Sequence, residues 1–202
     1  MKKNPHFEIK IIPAGDGFAY DIALLDEEAT IAQYITEFDA FLDDKVAPCL
    51  GCDLCCHQRI PLTLPDLYTY AGQDRDAIAA FMEAKAEVRT AGKAVDIKLR
   101  QKNNGSCIFL DEENQKCADH LRRSLVCHTY ICLPQTPRAK ALREALIASG
   151  EDALVGYLFA GGLLKNDTGK VDYPVDPVWD GKTFGEIRLK DVLPPSVFAD
   201  LR

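Results

Sequence analysis

All eight cysteines of this 202-residue chain lie between Cys49 and Cys132. Four crowd into the run Cys49-Leu50-Gly51-Cys52-Asp53-Leu54-Cys55-Cys56, and the others are Cys107, Cys117, Cys127 and Cys132. Two residues between cysteines let a tight turn aim both sulfurs at one point, as in zinc and iron–sulfur sites. Here that spacing occurs twice in overlap, through Cys49, Cys52 and Cys55. Three converging thiolates need a fourth ligand, which the distal set can supply. Adjacent side chains diverge, so Cys56 is expected to face a different site or partner from Cys55. Eight sulfurs suffice for two four-ligand sites, or for one site with spare thiols, and the spacing leaves both open. His57, His120 and His128 share the segment and could replace a sulfur, although a histidine beside a cysteine is more often structural. A four-thiolate site keeps net negative charge with its metal in place, and Arg59, Arg122 and Arg123 are the candidate donors that would offset it.

Several elements must position these residues. Residues 7–12 and 18–24 alternate apolar and polar side chains around the turn cluster Pro13-Ala14-Gly15-Asp16-Gly17, which predicts a β-hairpin. Ile31, Tyr34, Ile35, Phe38, Phe41 and Leu42 recur at helical spacing and predict a helix over 27–45 that delivers the chain to the cysteine run. Residues 57–64 read as extended, held by Pro61 and Pro65, with a short helix from Pro65 to Ala71. A second helix is expected from Asp74 to Gly92, and then a basic connector over 93–106. Cys107-Ile108-Phe109-Leu110 reads as a strand, 118–126 as a helix, and 138–148 and 151–164 as two helices parted by Ser149-Gly150. Residues 165–202, rich in proline and carrying Trp179 and Phe184, read as an irregular segment docked through its aromatics.

Length and a hydrophobic content of 47% point to a single domain over 1–202 with a real core. The fold class expected is α+β and mainly helical, with a small N-terminal β-hairpin and an irregular cysteine-rich metal-binding core over 49–132. No apolar stretch follows the basic start, and the apolar run 153–164 is short and interrupted by glycines, so a cytoplasmic protein without membrane association is expected. In that compartment thiols stay reduced, and metal or redox chemistry is the default reading of clustered cysteines. The formal charge of −7 divides as −6 over residues 1–48, zero over 49–132 and −1 over 133–202. That balance argues against nucleic-acid binding. Radical S-adenosylmethionine spacing, a dinucleotide-binding glycine motif and a phosphate-binding loop are all absent, and thioredoxin-like chemistry would use one C-x2-C rather than two in overlap.

Cys49-x2-Cys52-x2-Cys55-Cys56, Cys107-Ile108-Phe109-Leu110, Cys117-x2-His120 and Cys127-x4-Cys132 together resemble the YkgJ-type cysteine-cluster family, the CxxCxxCC zinc- or iron-chelating domain. The resemblance covers residues 49–132 with all eight cysteine positions filled. The chain departs from the family pattern where Ser124 follows Arg123, where His128 follows Cys127 and where Ile131 precedes Cys132. The resemblance implies a cysteine-bound metal centre but no particular reaction; the flagellin lysine N-methylases that share the motif are longer proteins.

The expectation is therefore a metal-binding protein whose ligands are Cys49, Cys52, Cys55, Cys56, Cys107, Cys117, Cys127 and Cys132. An iron–sulfur cluster with a redox role is the first reading. A zinc-stabilised module that recruits a protein partner through surfaces such as that around Trp179 is the alternative, and a methyltransferase-like enzyme is the third.

Overall fold

The structure is a computed structural model that describes residues 5–46, 52–164 and 173–202. Among these, seven helices and three antiparallel strand pairs make an α+β fold. The described residues group into two compact units. One comprises residues up to 46 with 128–149 and 184–202; the other comprises 52–127 with 150–164 and 173–183.

The first unit is built on the expected hairpin, β1 (Phe7–Ala14) paired with β2 (Gly17–Leu24). Phe7, Tyr20, Ile22 and Leu24 are buried. Helix α1 (Ile31–Lys45) buries Ile31, Tyr34, Ile35, Phe38, Phe41 and Leu42. Ring contacts tie the two, Phe7 to Tyr34 at 5.6 Å and Tyr20 to Phe38 at 5.3 Å between centroids. The helix starts four residues later than its periodicity suggested, because Thr30 and Gln33 form a reciprocal cap. The Gln33 amide N–H donates to Thr30 Oγ1 at 3.3 Å, and the Thr30 N–H donates to Gln33 Oε1 at 2.8 Å. The outer edge of β2 is covered. Tyr20 N–H donates to Pro134 O at 2.9 Å, Thr136 N–H to Tyr20 O at 3.0 Å, and Leu24 N–H to Leu201 O at 2.7 Å.

The second unit holds α2 (Leu64–Ala71) and α3 (Arg75–Lys85). Asp74 caps α3 by accepting from the Asp76 and Ala77 amides at 3.1 and 2.9 Å. Helix α3 ends at Lys85 rather than Gly92, and the chain turns into a second hairpin, β3 (Ala86–Ala91) with β4 (Ala94–Leu99). Two features explain that difference. Gly92 sits at φ +61° in the hairpin turn, a backbone region that glycine adopts without cost. Arg100 closes the helix from afar: its guanidinium donates to Glu83 O at 2.6 Å and Ala86 O at 3.0 Å, and its amide donates to Lys85 O at 2.7 Å. The expected basic connector thus contains a strand. The extended segment before α2 runs beside β4, with Leu62 N–H on Ile97 O at 3.0 Å and Leu99 N–H on Ile60 O at 2.9 Å.

Downstream, the expected strand at Cys107 shortens to β5 (Leu110–Asp111), paired with β6 (Lys116–Cys117). The helix expected over 118–126 is instead a 3-10 turn, His120–Arg122, followed by the one-turn helix α4 (Leu125–His128). Residues 138–164 do not form two helices. Helix α5 (Pro137–Ala160) runs unbroken through Ser149 and Gly150. Gly150 is there for closeness rather than as a break, since a Cβ on it would lie 2.7 Å from the Thr63 side chain and 3.3 Å from Trp179. Trp179 is fully buried, so its ring packs the core and offers no contact surface. Of the C-terminal segment, 165–172 lie outside the described residues. The remainder adds α6 (Leu189–Val192) and α7 (Pro195–Asp200). No helix among the described residues is long and apolar enough to cross a membrane.

Candidate metal centre

Of the eight cysteines, the second unit brings five together. Cys55 and Cys56 sit in a 3-10 turn, Leu54–His57, closed by Cys56 N–H on Asp53 O at 2.8 Å and Gln58 N–H on Cys55 O at 3.1 Å. A backbone bond then joins this turn to the distal set: Cys107 N–H donates to Cys56 O at 2.7 Å. Pairing of β5 with β6 sets Cys117 opposite Leu110, with Ala118 N–H on Phe109 O at 2.8 Å. Cys127 lies in α4, whose start is fixed by Leu125 N–H donating to the Asp66 carboxylate at 2.8 Å. Cys55 acts electrostatically on Cys56, Cys107, Cys117 and Cys127, Cys107 acts on Cys56 and Cys127, and Cys117 acts on Cys107.

Asp66 organises this neighbourhood. It is buried, and besides Leu125 it accepts from the Thr63 amide and hydroxyl, both at 2.8 Å. One carboxylate thereby starts α2 and holds the loop that carries Cys127. A second carboxylate, Glu112, ties the loop before Cys107. It accepts from Lys102 Nζ at 3.1 Å, Asn104 Nδ2 at 3.0 Å and Ser106 Oγ at 2.8 Å, and these donors hold its carboxyl down at about 2.

The sulfurs receive hydrogen bonds of the kind that stabilise thiolates. Phe109 N–H points at Cys107 Sγ (3.5 Å) and Ser124 Oγ–H at Cys127 Sγ (3.3 Å), while the Asp119 backbone donates to Cys117. Burial nevertheless pushes the Cys107 and Cys117 thiols up, and Cys127 up to about 12. Cys55 and Cys56 share a hydrogen bond that lowers the Cys55 thiol and raises that of Cys56, so the pair releases its first proton early and its second late. Arg123 lowers both Cys55 and Cys117, and Lys102 lowers Cys107. Arg59 is elsewhere, on Asp96 and Glu151 at 2.6 Å each, and Arg122 pairs with Asp119 at 2.9 Å.

The remaining candidates fall outside this group. Cys49 lies outside the described residues, Cys52 is exposed, and Cys132 is exposed in the first unit. His57 contacts Asp53 at 3.3 Å, His120 Nε2 faces the Arg123 guanidinium at 2.9 Å, and His128 contacts Asp39 at 2.8 Å in the first unit. Among the described residues no group of three or more His, Cys, Asp or Glu side chains stands in a metal-coordinating arrangement. The donor chemistry still fits a thiophilic metal, because five sulfurs share one neighbourhood with amide donors and the cations Arg123 and Lys102.

Residues 48–144, the stretch holding all eight cysteines, match the family model described as CxxCxxCC, putative zinc- or iron-chelating domain. The match covers just under half of the chain. No curated protein and no solved structure matches the chain. The similarity to a putative chelating domain is consistent with metal binding by this segment. Asp66 and Glu112 hold the loops around these cysteines, a role that motif reading does not assign them, and Ser124, in sequence only a departure from the family pattern, donates to Cys127. Thr63-x-x-Asp66 was visible as a capping-box pattern, whereas nothing in sequence ties Glu112 to Asn104 and Ser106. Tyr70 is another such residue. It stacks between Phe81 and Phe109 at 5.2 Å from each, with burial, then Asp66 and the thiols of Cys127, Cys117 and Cys107, raising its hydroxyl pKa.

Proposed function

We propose that the chain is a cytoplasmic iron–sulfur protein whose cysteines hold the cluster and whose role is electron transfer. The observation supporting it is the gathering of Cys55, Cys56, Cys107, Cys117 and Cys127 in one unit, all thiols, with backbone N–H groups aimed at sulfur. Cys49, Cys52 and Cys132 complete the proposed ligand set, so that eight sulfurs are available for one or two sites. A cluster would supply reversible one-electron chemistry. The protein's part is to surrender thiol protons, to place Arg123 against the resulting negative charge and to keep Cys107 and Cys127 out of water. The raised thiols of Cys107, Cys117 and Cys127 mean that loading must expel protons, so retention weakens as pH falls.

Zinc is the second reading, favoured by the same all-thiol donor set, and it would make the segment a metal-stabilised module for a protein partner. Purification without air, followed by visible absorption and metal analysis, separates the two. Colour that bleaches reversibly with dithionite supports the cluster. A colourless protein with stoichiometric zinc, which unfolds on chelation and shows no redox response, supports the module.

A further inference from the structure

Tyr70 stands where the supports of the distal cysteines meet. It lies in α2 four residues after Asp66 and on the same face of that helix, and Asp66 holds the start of the helix bearing Cys127 through the Leu125 amide at 2.8 Å. Its ring is stacked between Phe81 and Phe109, with both centroids 5.2 Å away and the planes within 9° and 16° of parallel. Phe109 is itself tied to two cysteine segments. Its N–H donates to Cys107 Sγ at 3.5 Å, and its carbonyl accepts at 2.8 Å from Ala118, the residue after Cys117. One ring thus adjoins the segments of Cys107, Cys117 and Cys127.

The stack fixes where the Tyr70 hydroxyl can be. A flip of the ring leaves the oxygen in place, because the C–O bond lies on the flip axis. Burial first, then Asp66 and the thiols of Cys127, Cys117 and Cys107, hold that hydroxyl in its protonated form, which is a donor. The Asp66 carboxylate already accepts from the Thr63 amide, the Thr63 hydroxyl and the Leu125 amide, and no described residue takes the Tyr70 proton. The acceptors that remain near it are the sulfurs, which accept more strongly as thiolates than as thiols.

We infer that the Tyr70 hydroxyl donates a hydrogen bond to a cysteine sulfur of the metal-loaded centre, joining the Phe109 N–H and the Ser124 hydroxyl as a donor to sulfur. Tyr70 is thus a positioning residue that acts through a ligand sulfur and not on the metal itself. The inference rests on the proposal that these cysteines hold a metal, and not on which metal they hold. On a cluster, a donated hydrogen bond draws negative charge from sulfur, favours the reduced form and raises the reduction potential. On a single thiolate-bound ion it weakens the electron donation of the sulfur.

The test compares the full chain with its Tyr70→Phe variant, which keeps the ring stack and removes only the hydroxyl. Both are prepared without air, and metal analysis and far-UV circular dichroism should show equal loading and equal fold. Where iron and sulfide are bound, the variant should have the lower midpoint potential, by about a tenfold shift of the one-electron equilibrium, or about 59 mV. Where zinc is bound instead, the cluster reading alone fails, and the comparison passes to protein reloaded with cobalt(II). Its sulfur-to-cobalt charge-transfer band should then move to lower energy in the variant, because a sulfur relieved of a hydrogen bond gives up its electron more readily. Tyr68→Phe is the control: the Tyr68 hydroxyl meets Asp180 at 3.2 Å and the Gly181 amide at 3.3 Å, and its loss should move neither potential nor band. Equal potentials, or equal cobalt bands, at equal loading overturn the inference, as does an equal shift in Tyr68→Phe. A Tyr70→Phe protein that no longer folds or loads makes the hydroxyl a structural one and overturns it too. A wild type that takes up neither iron with sulfide, nor zinc, nor cobalt overturns both the inference and the metal reading beneath it.

Discussion

The two halves of the cysteine set are held very differently. Cys55 and Cys56 ride on a single 3-10 turn closed by its own backbone, beside exposed Cys52 and exposed Leu54. Cys107, Cys117 and Cys127 are each pinned from outside their own turn, by the Glu112 network, the β5–β6 pair and Asp66 respectively. Among the described residues, the Cys107 N–H to Cys56 O bond joins the halves through the backbone. In the proposed metal site the distal cysteines would be the better anchored and the turn carrying half-buried Cys55 and Cys56 the more open part.

Loss of a ligand should break this contrast most severely. Cys107→Ser and Cys55→Ser are each expected to lower metal content and melting temperature together, with Cys107→Ser costing more stability even in metal-free protein because its thiol is buried. Cys52→Ser should lower metal content with the smaller thermal penalty. Full metal retention by both Cys52→Ser and Cys55→Ser would mean that the proximal strip is not part of the site.

Next in size is Asp66→Ala, which orphans the Thr63 and Leu125 amides in a buried setting and should cost about 3 kcal/mol in denaturant unfolding. Metal should be lost in step with it, since the Cys127 loop is released. A cost below about 1 kcal/mol would deny Asp66 its central place. Gly150→Ala forces a methyl against Thr63 and should cost about 1–3 kcal/mol while leaving metal stoichiometry unchanged. Gly161→Ala is the milder control, with its Cβ 3.2 Å from Tyr157 O and metal content intact.

Smaller still is Glu112→Gln, an exposed change read through pH. The carboxyl lies at about 2 in the folded protein against an ordinary 4.5, so its contribution is present above pH 4.5 and fades as pH falls toward 2. Wild type should therefore exceed the variant at neutral pH and converge with it in acid. A gap that persists at pH 2 would contradict the assignment. Leu121→Ser, at a side chain 93% exposed, should change stability by no more than about 0.5 kcal/mol.

What sequence made legible were features fixed by nearby residues. The hairpin follows from alternation around Pro13 to Gly17, and α1 from its apolar stripe. Of the three cysteines that share the overlapping C-x2-C spacing, the structure places only Cys55 beside the distal cysteines, and of the three arginines singled out Arg123 is the one whose charge reaches them. What stayed hidden depends on distant partners. Nothing local says that Arg100 ends α3, so β3 and β4 were read as helix and connector. Gly150 resembles a break until the Thr63 side chain beneath it is known. In sequence Trp179 reads both as an aromatic that docks its segment and as part of a recruiting surface, and its full burial fits the first and not the second.

The most direct test of the central claim is metal, acid-labile sulfide and visible absorption measured on the full chain kept free of air throughout. The account predicts iron with matching sulfide and a visible band that dithionite bleaches reversibly. Zinc at stoichiometric amount in a colourless protein, with neither iron nor sulfide, would contradict it.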